Sequence, residues 1–447
     1  MDSYRMKPRE IPREDSWDVV VAGGGPAGCA AAAAAAREGA RTLLVEATGC
    51  LGGMGTSGLV PAWCPFSDKE KMIYRGLAEK VFTACKAGMA HVRDDAMDWV
   101  PIDPELLKRI YDDLVTGAGA AVRFHTVLAG VEMGEDGVVD AVLLAGKAQL
   151  AACCAKVYVD CTGDGDLAAW AGAPTEKGAA ETGELQPATL CFILSNVDTD
   201  AYGRMPRHLD AGSPIYQIAR SDKYPQVVDA HFCSNVIGPG TVGFNAGHLW
   251  DVDPADSDGL SRAMIEGRRI ARAFRDGLAE LAPEAFGSAF LAATAPLMGV
   301  RETRRILGDY VLTLDDYLGR RSFDDEICRN CYFIDIHTAR DEIARSAAGE
   351  HVVERRHERY GPGESHGIPY RCLTPRGLVN VLVAGRAISC DRAVQGSVRV
   401  MPVCLAMGEA AGIAAAHACA LPRCDVHAVD AQRLRRRLRA EGAYLPE

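Results

Sequence analysis

The chain lacks an excess of positive charge, and this limits its partners. Its 447 residues include 49 lysines and arginines against 60 aspartates and glutamates, which gives a formal net charge of −11. Nucleic acids and anionic membrane surfaces both favour basic patches, so we expect neither as a main partner. No apolar run looks long and charge-free enough to cross a bilayer, and the polar N-terminus does not resemble a signal peptide. The sequence therefore predicts a cytoplasmic protein without membrane insertion.

Several motifs of other enzyme classes are absent as well. The 16 cysteines have no framework spacing, and the one CxxC, Cys328 to Cys331, has no second pair that would complete a zinc site. The chain contains no GxSxG, no HExxH and no GxxxxGK[ST]. The sequence therefore predicts no metal site, and it gives no support to a hydrolase, a zinc protease or a P-loop enzyme.

What the chain does contain is a glycine-rich turn near its N-terminus. A short run of β-forming residues leads into Gly23-x-Gly25-x-x-Gly28, and an alanine-rich helix follows to about Arg37. A second apolar run then ends at Glu46. This order of strand, glycine turn, helix and strand is the context in which the motif indicates a dinucleotide.

Each glycine of the turn has a separate physical purpose. Gly23 permits the tight turn, Gly25 lets a pyrophosphate approach the backbone, and Gly28 lets the helix pack close to the sheet. Glu46 lies 18 residues beyond Gly28 (46 − 28), where a carboxylate can accept hydrogen bonds from the hydroxyls of a ribose. This segment predicts dinucleotide binding, and by itself it leaves NAD and FAD both open.

Three further segments extend the pattern. A second glycine-rich loop spans Gly49 to Val60, and later β-like runs joined by turn residues end in Thr162-Gly163-Asp164-Gly165-Asp166. Near the C-terminus, an apolar run from Val379 to Ala384 leads into Gly385, and a helix rich in small residues begins near Pro402. No second strand–GxGxxG–helix unit occurs, so we expect no separate NAD(P)H domain.

The order of these motifs, GxGxxG…E, GGMGTSG, DCTGDGD, and LVAGR…D…GSVRVMP…GEAAG, resembles a bacterial family of FAD-dependent oxidoreductases. That family is distantly akin to the flavoproteins of fumarate reductase and succinate dehydrogenase. The resemblance implies an α/β fold, with a Rossmann-like FAD-binding domain formed by residues 14–175 and 366–447 and carrying an antiparallel β-meander insertion. It also implies an inserted α+β substrate-binding cap over residues 176–365.

The resemblance implies FAD as the cofactor and assigns it a set of contacts. These are Glu46 at the adenosine ribose, Gly23, Gly25 and Gly28 at the pyrophosphate, Gly53, Met54 and Thr56 at the ribityl chain and ring, Leu128 beside the adenine, Asp164 near the phosphate and ribose, and Gly385 and Asp391 over the pyrophosphate. The helix that follows Arg399 would direct its positive N-terminal end at the flavin pyrimidine.

Five residues outside the nucleotide motifs are candidates for catalysis. Arg301 can bind a substrate carboxylate through its planar fork, or it can belong to an internal salt-bridge cluster. His248 can orient a substrate or move a proton, and His366 or Tyr370 can accept a proton. Arg399 is a substrate ligand by resemblance to the fumarate reductases, although the surrounding GSVRVMP departs from their motif.

These features predict hydride transfer between flavin N5 and a small polar or carboxylated substrate, as in the oxidation of an alcohol or amine C–H bond. A flavin-dependent C=C reductase or desaturase is the alternative within this class, and a non-redox FAD-holding protein is the alternative outside it. We expect a small-molecule substrate as the partner. The substrate, the direction of reaction, the electron acceptor, the mode of FAD attachment and the state of oligomerisation stay open.

Overall fold

A computed structural model describes residues 7–206, 210, 212–337 and 359–446. Its strands are β1 (Arg13–Ala22), β2 (Thr42–Val45), β3 (Ala121–Arg123), β4 (Val127–Met133), β5 (Val139–Ala145), β6 (Leu150–Asp160), β7 (Thr175–Lys177), β8 (Phe192–Ser195), β9 (Phe232–Gly238), β10 (Thr241–Ala246), β11 (Phe290–Thr294), β12 (Arg304–Ile306), β13 (Glu326–Asn330), β14 (His366–Pro369) and β15 (Val381–Val383). Its α-helices are α1 (Pro26–Arg37), α2 (Leu77–Ala87), α3 (Pro104–Gly117), α4 (Asp166–Trp170), α5 (Thr199–Arg204), α6 (Pro214–Ala219), α7 (Ser257–Leu281), α8 (Pro283–Phe286), α9 (Leu314–Leu318), α10 (Arg392–Val398), α11 (Met401–Ala418) and α12 (Ala431–Ala440).

Within the described residues, the main sheet has seven strands in the order β3-β2-β1-β6-β5-β4, with β15 also paired to β6. The pairs of β1 with β2 and β6, of β2 with β3, and of β6 with β15 are parallel. The pairs β4–β5 and β5–β6 are antiparallel. The α/β fold and the β-meander insertion are thus confirmed.

Helix α1 is held between this sheet and α11 by small residues. Pro26 stands at its start, where a missing N–H costs nothing. A Cβ on Gly408 or Gly412 of α11 would come within 2.1 Å of the carbonyl oxygens of Ala27 and Ala31 respectively. The two helices therefore cross in backbone contact, which only glycine permits. The small residues of α11 thus allow its close packing against α1.

Helix α11 also corrects an expectation from the sequence. By length and composition it is the one helix of the described chain that could cross a membrane, so the prediction that no such run exists is wrong. Its apolar character has another physical cause, since nearly all of its residues are buried between α1, α2 and β13. Its one acidic residue, Glu409, accepts hydrogen bonds from Arg37 and from the Leu77 backbone, both at 2.8 Å.

A second apolar core lies in the inserted region. The antiparallel sheet β11-β8-β10-β9 packs against the 25-residue helix α7, with Phe192, Phe244 and Phe274 fully buried between them. This core extends along the chain from Ala188 to Met298. Residues between Leu312 and Ile336 instead pack into the core of the nucleotide fold, so the chain returns to that fold before residue 366.

Candidate functional site

The three glycines of the N-terminal turn have different surroundings. Gly23 has a φ of +95°, and a Cβ there would lie 2.5 Å from the carbonyl oxygen of Cys161. A Cβ on Gly28 would lie 1.8 Å from the carbonyl oxygen of Gly23. A Cβ on Gly25, in contrast, would meet nothing within 4 Å. Gly23 and Gly28 are therefore required by the fold itself, whereas Gly25 keeps a space open.

Glu46 anchors two loops through its side chain. One carboxylate oxygen accepts a hydrogen bond from the Gly24 N–H at 2.7 Å, and the other accepts one from the Thr48 N–H at 2.7 Å. The carboxylate thus holds the glycine turn against the end of β2 while it still borders the open space beside Gly25.

That open space is a groove of about 340 Å³, here named the glycine groove. It runs over the C-terminal ends of β1, β2 and β6, the usual ligand position in an open α/β sheet. Most of the predicted cofactor residues line it: Gly23, Gly25, Glu46, Gly53, Met54, Leu128, Asp164 and Gly385.

The other predicted cofactor residues lie elsewhere. Gly28 packs behind the turn, as described above. Thr56 is buried and donates its hydroxyl to the Leu51 carbonyl at 2.6 Å, so it shapes the loop rather than the groove. Asp391 caps α10 by accepting from the Val394 N–H at 2.8 Å, and it also accepts from the Leu314 N–H at 2.6 Å. Both carboxylate oxygens thus accept from backbone donors as a helix cap, and Asp391 is not among the residues that line the groove. Its place over a pyrophosphate stays a prediction.

Arg386, which the sequence reasoning missed, closes one side of the glycine groove. Its guanidinium donates to the carbonyls of Gly163 at 2.9 Å and Val300 at 2.8 Å, and to the Asp164 carboxylate at 2.5 Å. These contacts tie the end of β15 to the end of β6 and to the segment that contains Val300. Its place directly after Gly385 in LVAGR was the signal available in the sequence.

A second space of about 480 Å³, here named the arginine cavity, adjoins the groove. Both spaces are bordered by Met54, Val300, Arg386, Arg399 and Met401. The remaining walls of the arginine cavity are mainly apolar and aromatic, with polar groups gathered at one side: Val60, Pro61, Ala62, Cys64, Trp99, Thr189, Cys191, Ala230, His231, Phe232, Cys233, Asn245, Gly299, Arg301, Tyr332, Phe333, Asp335, His337 and Val400.

Arg301 is a buried cation at the polar side of this cavity. One guanidinium nitrogen donates to the Pro187 carbonyl at 2.7 Å and to the Thr189 hydroxyl at 2.9 Å. The other lies 3.2 Å from His231 Nε2 and 3.5 Å from Asn245 Oδ1. Burial, with the nearby Arg399, lowers the pKa of Arg301 from 12.5 to about 10. Among the described residues, no carboxylate forms an ion pair with Arg301.

The neighbouring arginines of the same segment differ in this respect. Arg304 pairs with Asp166 at 2.7 Å, and Arg305 pairs with the buried Glu302 at 3.0 Å. These two side chains form the internal salt-bridge cluster that the sequence offered as the alternative. Arg301 does not belong to it, because its fork is turned towards the arginine cavity.

Arg399 stands where the two spaces meet. It donates to the Asp335 backbone carbonyl at 2.9 Å and pairs with the Asp335 carboxylate at 3.3 Å. Its Nε is buried and has no hydrogen-bond partner among the described residues. Burial alone would raise the pKa of Asp335, but His337 and the two arginines hold it far below its usual range.

Three histidines gather beside these arginines. His248 contacts the Asp229 carboxylate through Nδ1, and its Nε2 lies 2.9 Å from His337 Nδ1. The ring of His231 stacks on that of His248 at a centroid distance of 4.1 Å. Of these three histidines, the sequence analysis selected only His248 as a catalytic candidate. It lies behind His231 and His337, which line the cavity.

His366 and Tyr370 line neither space. His366 is fully buried, its Nδ1 lies 2.8 Å from the Tyr360 hydroxyl, and burial lowers its pKa to about 3. Tyr370 donates its hydroxyl to the Val426 carbonyl at 2.7 Å. Both side chains are packed in the core beside the paired strands β13 and β14, away from the glycine groove.

Comparison with known proteins gives a family match over most of the chain. A family model described as FAD dependent oxidoreductase matches residues 18–438. No curated protein matches the chain.

Several solved structures are similar. One is a geranylgeranyl bacteriochlorophyll reductase-like protein from Thermoplasma acidophilum, with 13% identity, a TM-score of 0.45, and coverage of 96% of this chain and 83% of that one. Another is OxyS anhydrotetracycline hydroxylase from Streptomyces rimosus, with 16% identity, a TM-score of 0.41, and coverage of 96% and 65%. A third is the flavin-dependent monooxygenase PieE, solved in complex with FAD and substrate, with 14% identity, a TM-score of 0.37, and coverage of 67% and 52%. The chain thus spans less than two thirds of the length of the last two.

The glycine groove fits FAD by features of its own residues. Helix α1 begins at the groove with no side chain capping its N-terminus, and Gly25 leaves the backbone there open. Helix α11 also begins at the border of the groove without a side-chain cap. Uncapped helix N-termini attract anions, which suits a pyrophosphate and an anionic reduced ring.

Proposed function

Because the chain belongs to the FAD dependent oxidoreductase family, we propose that it oxidises a small carboxylated substrate at a C–H bond next to oxygen or nitrogen. FAD, when bound, supplies the hydride and electron chemistry. The protein supplies the binding, orientation and charge described below. The observation that carries this proposal is the buried Arg301, whose fork faces the arginine cavity without an acidic partner among the described residues.

We assign the cofactor contacts to the residues that line the glycine groove. Gly25 and the N-terminus of α1 would bind the pyrophosphate. Glu46 would accept a hydrogen bond from the ribose in addition to its two backbone donors. The loop with Gly53 and Met54 would contact the ring end of FAD, since Met54 borders both spaces.

The carboxylate of the substrate would bind Arg301. A desolvated guanidinium binds a carboxylate through charge-assisted hydrogen bonds that are stronger than those between neutral groups. One nitrogen is fixed by Pro187 and Thr189, so the fork has little freedom left to lose on binding. Arg399 is the second cation of the cavity, and its unpartnered Nε would add to the attraction.

The remaining walls suggest the rest of the substrate. Trp99, Phe232 and Phe333 offer apolar surface to its body. Asn245 offers a carbonyl oxygen 3.5 Å from the Arg301 fork. That oxygen can accept a hydrogen bond from a hydroxyl or amino group on the carbon next to the carboxylate, which favours 2-hydroxy and 2-amino acids as the class to test.

The two spaces are arranged for reaction between their occupants. They share a common border formed by Met54, Val300, Arg386, Arg399 and Met401. Helix α11 begins at that border with Pro402 in its first turn and no capping side chain. Its positive end would stabilise negative charge that develops beside it.

The test is anaerobic titration of the purified protein with pairs of ligands. The flavin absorption spectrum is first recorded before and after acid precipitation, which separates released from covalently attached FAD. A series of 2-hydroxy and 2-amino acids is then compared with the matching amides. We expect the acids to bleach the flavin and the amides to leave it oxidised. Equal bleaching by acids and amides, or by neutral alcohols alone, would refute the carboxylate assignment.

A further inference from the structure

The three histidines at the polar side of the arginine cavity come from three separate segments. His231 directly precedes β9, His248 follows β10, and His337 lies beyond β13. One ring nitrogen from each histidine lies within 4.8 Å of those of the other two, and all three side chains are half-buried. The fold therefore brings together three imidazoles that are far apart in sequence.

Two of the rings have carboxylates on their outer sides. His248 Nδ1 contacts the Asp229 carboxylate, and His337 Nε2 lies 3.5 Å from an Asp335 carboxylate oxygen. A neutral imidazole carries one N–H. If each ring directs its N–H at its carboxylate, the inner nitrogens, His248 Nε2 and His337 Nδ1, face each other as two lone pairs at 2.9 Å.

Without an ion, one ring can turn its N–H inward, since a His337 Nδ1–H can donate to His248 Nε2 across this distance. When both N–H groups point at the carboxylates, the two inner lone pairs and the adjacent His231 ring offer three imidazole nitrogens to one cation.

We propose that His231, His248 and His337 form a binding site for a divalent transition metal ion such as Zn²⁺. Zinc binds imidazole nitrogens at about 2.0–2.1 Å in tetrahedral geometry, and a site with three histidines keeps its fourth position open. His231 and His337 line the arginine cavity, so the open position faces that space. Carboxylates that hold the outer N–H of ligating histidines are a recurrent feature of metal sites, and Asp229 and Asp335 stand in that relation here.

The charged groups around the cluster balance before any ion binds. Arg301 and Arg399 contribute two positive charges, and Asp229 and Asp335 contribute two negative ones. Arg301 lies 3.2 Å from His231 Nε2, so its charge weakens cation binding when the cavity holds no anion. We therefore expect a small carboxylate such as acetate to strengthen binding of the metal ion.

The metal site goes beyond the proposed function and does not depend on it. Its test therefore measures binding of the metal ion and not oxidation of a substrate. The FAD-loaded protein is treated with chelator, dialysed and titrated with Zn²⁺ by calorimetry. It is then titrated with Co²⁺, whose visible absorption reports coordination geometry at wavelengths beyond the flavin bands. We expect one equivalent per chain, a tetrahedral Co²⁺ spectrum, and no thiolate charge-transfer band.

Matched variants locate the ion. Binding should be lost in His248→Ala and His337→Ala and kept in His91→Ala, an exposed histidine whose ring hydrogen-bonds the Val236 carbonyl. Asp229→Asn keeps all three ligands and should weaken binding by about 10- to 100-fold; it serves if the alanine variants do not fold. The proposal is overturned if the wild-type protein binds neither ion, if the His248 and His337 variants bind as the wild type does, or if the Co²⁺ spectrum shows cysteine thiolate ligands.

Discussion

Replacing Arg301 with glutamine removes the buried positive charge that we assign to the substrate carboxylate. The guanidinium is held by Pro187 and Thr189 through one nitrogen, and the other is turned to the arginine cavity. Loss of one partner of a buried, hydrogen-bonded charge pair costs about 2–5 kcal/mol of binding free energy. Because Arg399 remains in the same cavity, we expect the lower part of that range.

The expected loss is therefore about 2–3 kcal/mol, or roughly 30- to 150-fold in affinity, since each 1.4 kcal/mol is tenfold. Arg301→Lys keeps the charge but loses the planar fork, so its loss should lie between those of the wild type and the glutamine variant. Arg272→Gln, an exposed change on α7, is the control and should leave affinity unaltered.

The assay is a thermodynamic cycle, analogous to a double-mutant cycle, in which two proteins are each combined with two ligands. Binding of a carboxylic acid and of its amide to the wild type and to Arg301→Gln is followed by the shift in the flavin spectrum. The charge interaction appears as the coupling energy of the cycle, which removes general effects of the substitution. Melting temperature and FAD content are measured alongside, because the freed Pro187 carbonyl costs about 1–3 kcal/mol if it is left unpaired. A coupling energy near zero would refute the assignment of Arg301.

Three further predictions follow from other parts of the structure. Gly25→Val should fold with the melting temperature of the FAD-free protein but retain little FAD, because its side chain enters the open groove. Gly28→Ala should instead lower the free energy of unfolding by about 3 kcal/mol or more, since its Cβ would lie 1.8 Å from a carbonyl oxygen. If Gly25→Val lost both FAD binding and the stability of the FAD-free protein, the separate roles assigned to Gly25 and Gly28 would be contradicted. Asp391→Ala should cost about 0.5–2 kcal/mol of stability in denaturant unfolding through the lost cap of α10, with the FAD dissociation constant unaltered; release of FAD would restore Asp391 to the cofactor site. Burial alone would lower the pKa of His427, but its hydrogen bonds to Asp309 and to the Leu378 carbonyl raise the pKa above 6.5. The stability that His427 contributes is thus present below pH 6.5 and is lost as the pH rises through the folded-state pKa. The melting temperature of the wild type should therefore fall more than that of His427→Asn as the pH is raised across this range. An identical dependence of melting temperature on pH in the two proteins would contradict the prediction.

The nucleotide part of the fold was predictable because its signals are local. Gly23 has a positive φ, Pro26 starts a helix, and apolar runs separated by glycine turns alternate between strand and helix periods. Each of these depends on a residue and its near neighbours. The same holds for Glu46, whose distance along the chain follows from one helix and one strand. Most of the predicted lining of the glycine groove rests on such short-range patterns.

Predictions that depended on long-range packing were less successful. Tyr370 and His366 have the chemistry of proton acceptors, but their side chains are packed in the core beside the paired strands β13 and β14. Asp391 follows the groove residue Gly385 closely in the sequence, but its carboxylate accepts a hydrogen bond from the Val394 N–H and caps α10. Residue type and motif order do not report which way a side chain faces when neighbouring backbone groups compete for it.

By itself, the sequence determined the dinucleotide fold, the helix and strand order around it, and the presence of an arginine-rich segment near residue 301. Only the tertiary structure decided that Arg301 has no carboxylate ion pair among the described residues, unlike Arg304 and Arg305, and that His231, His248 and His337 meet beside it. His248 and His337 are 89 residues apart, and Arg301 and His231 are 70 residues apart. Their contacts arise between the region of the second apolar core and the segment that ends at Ile336 in the core of the nucleotide fold. Burial of two apolar cores sets that arrangement, and no single stretch of the chain encodes it.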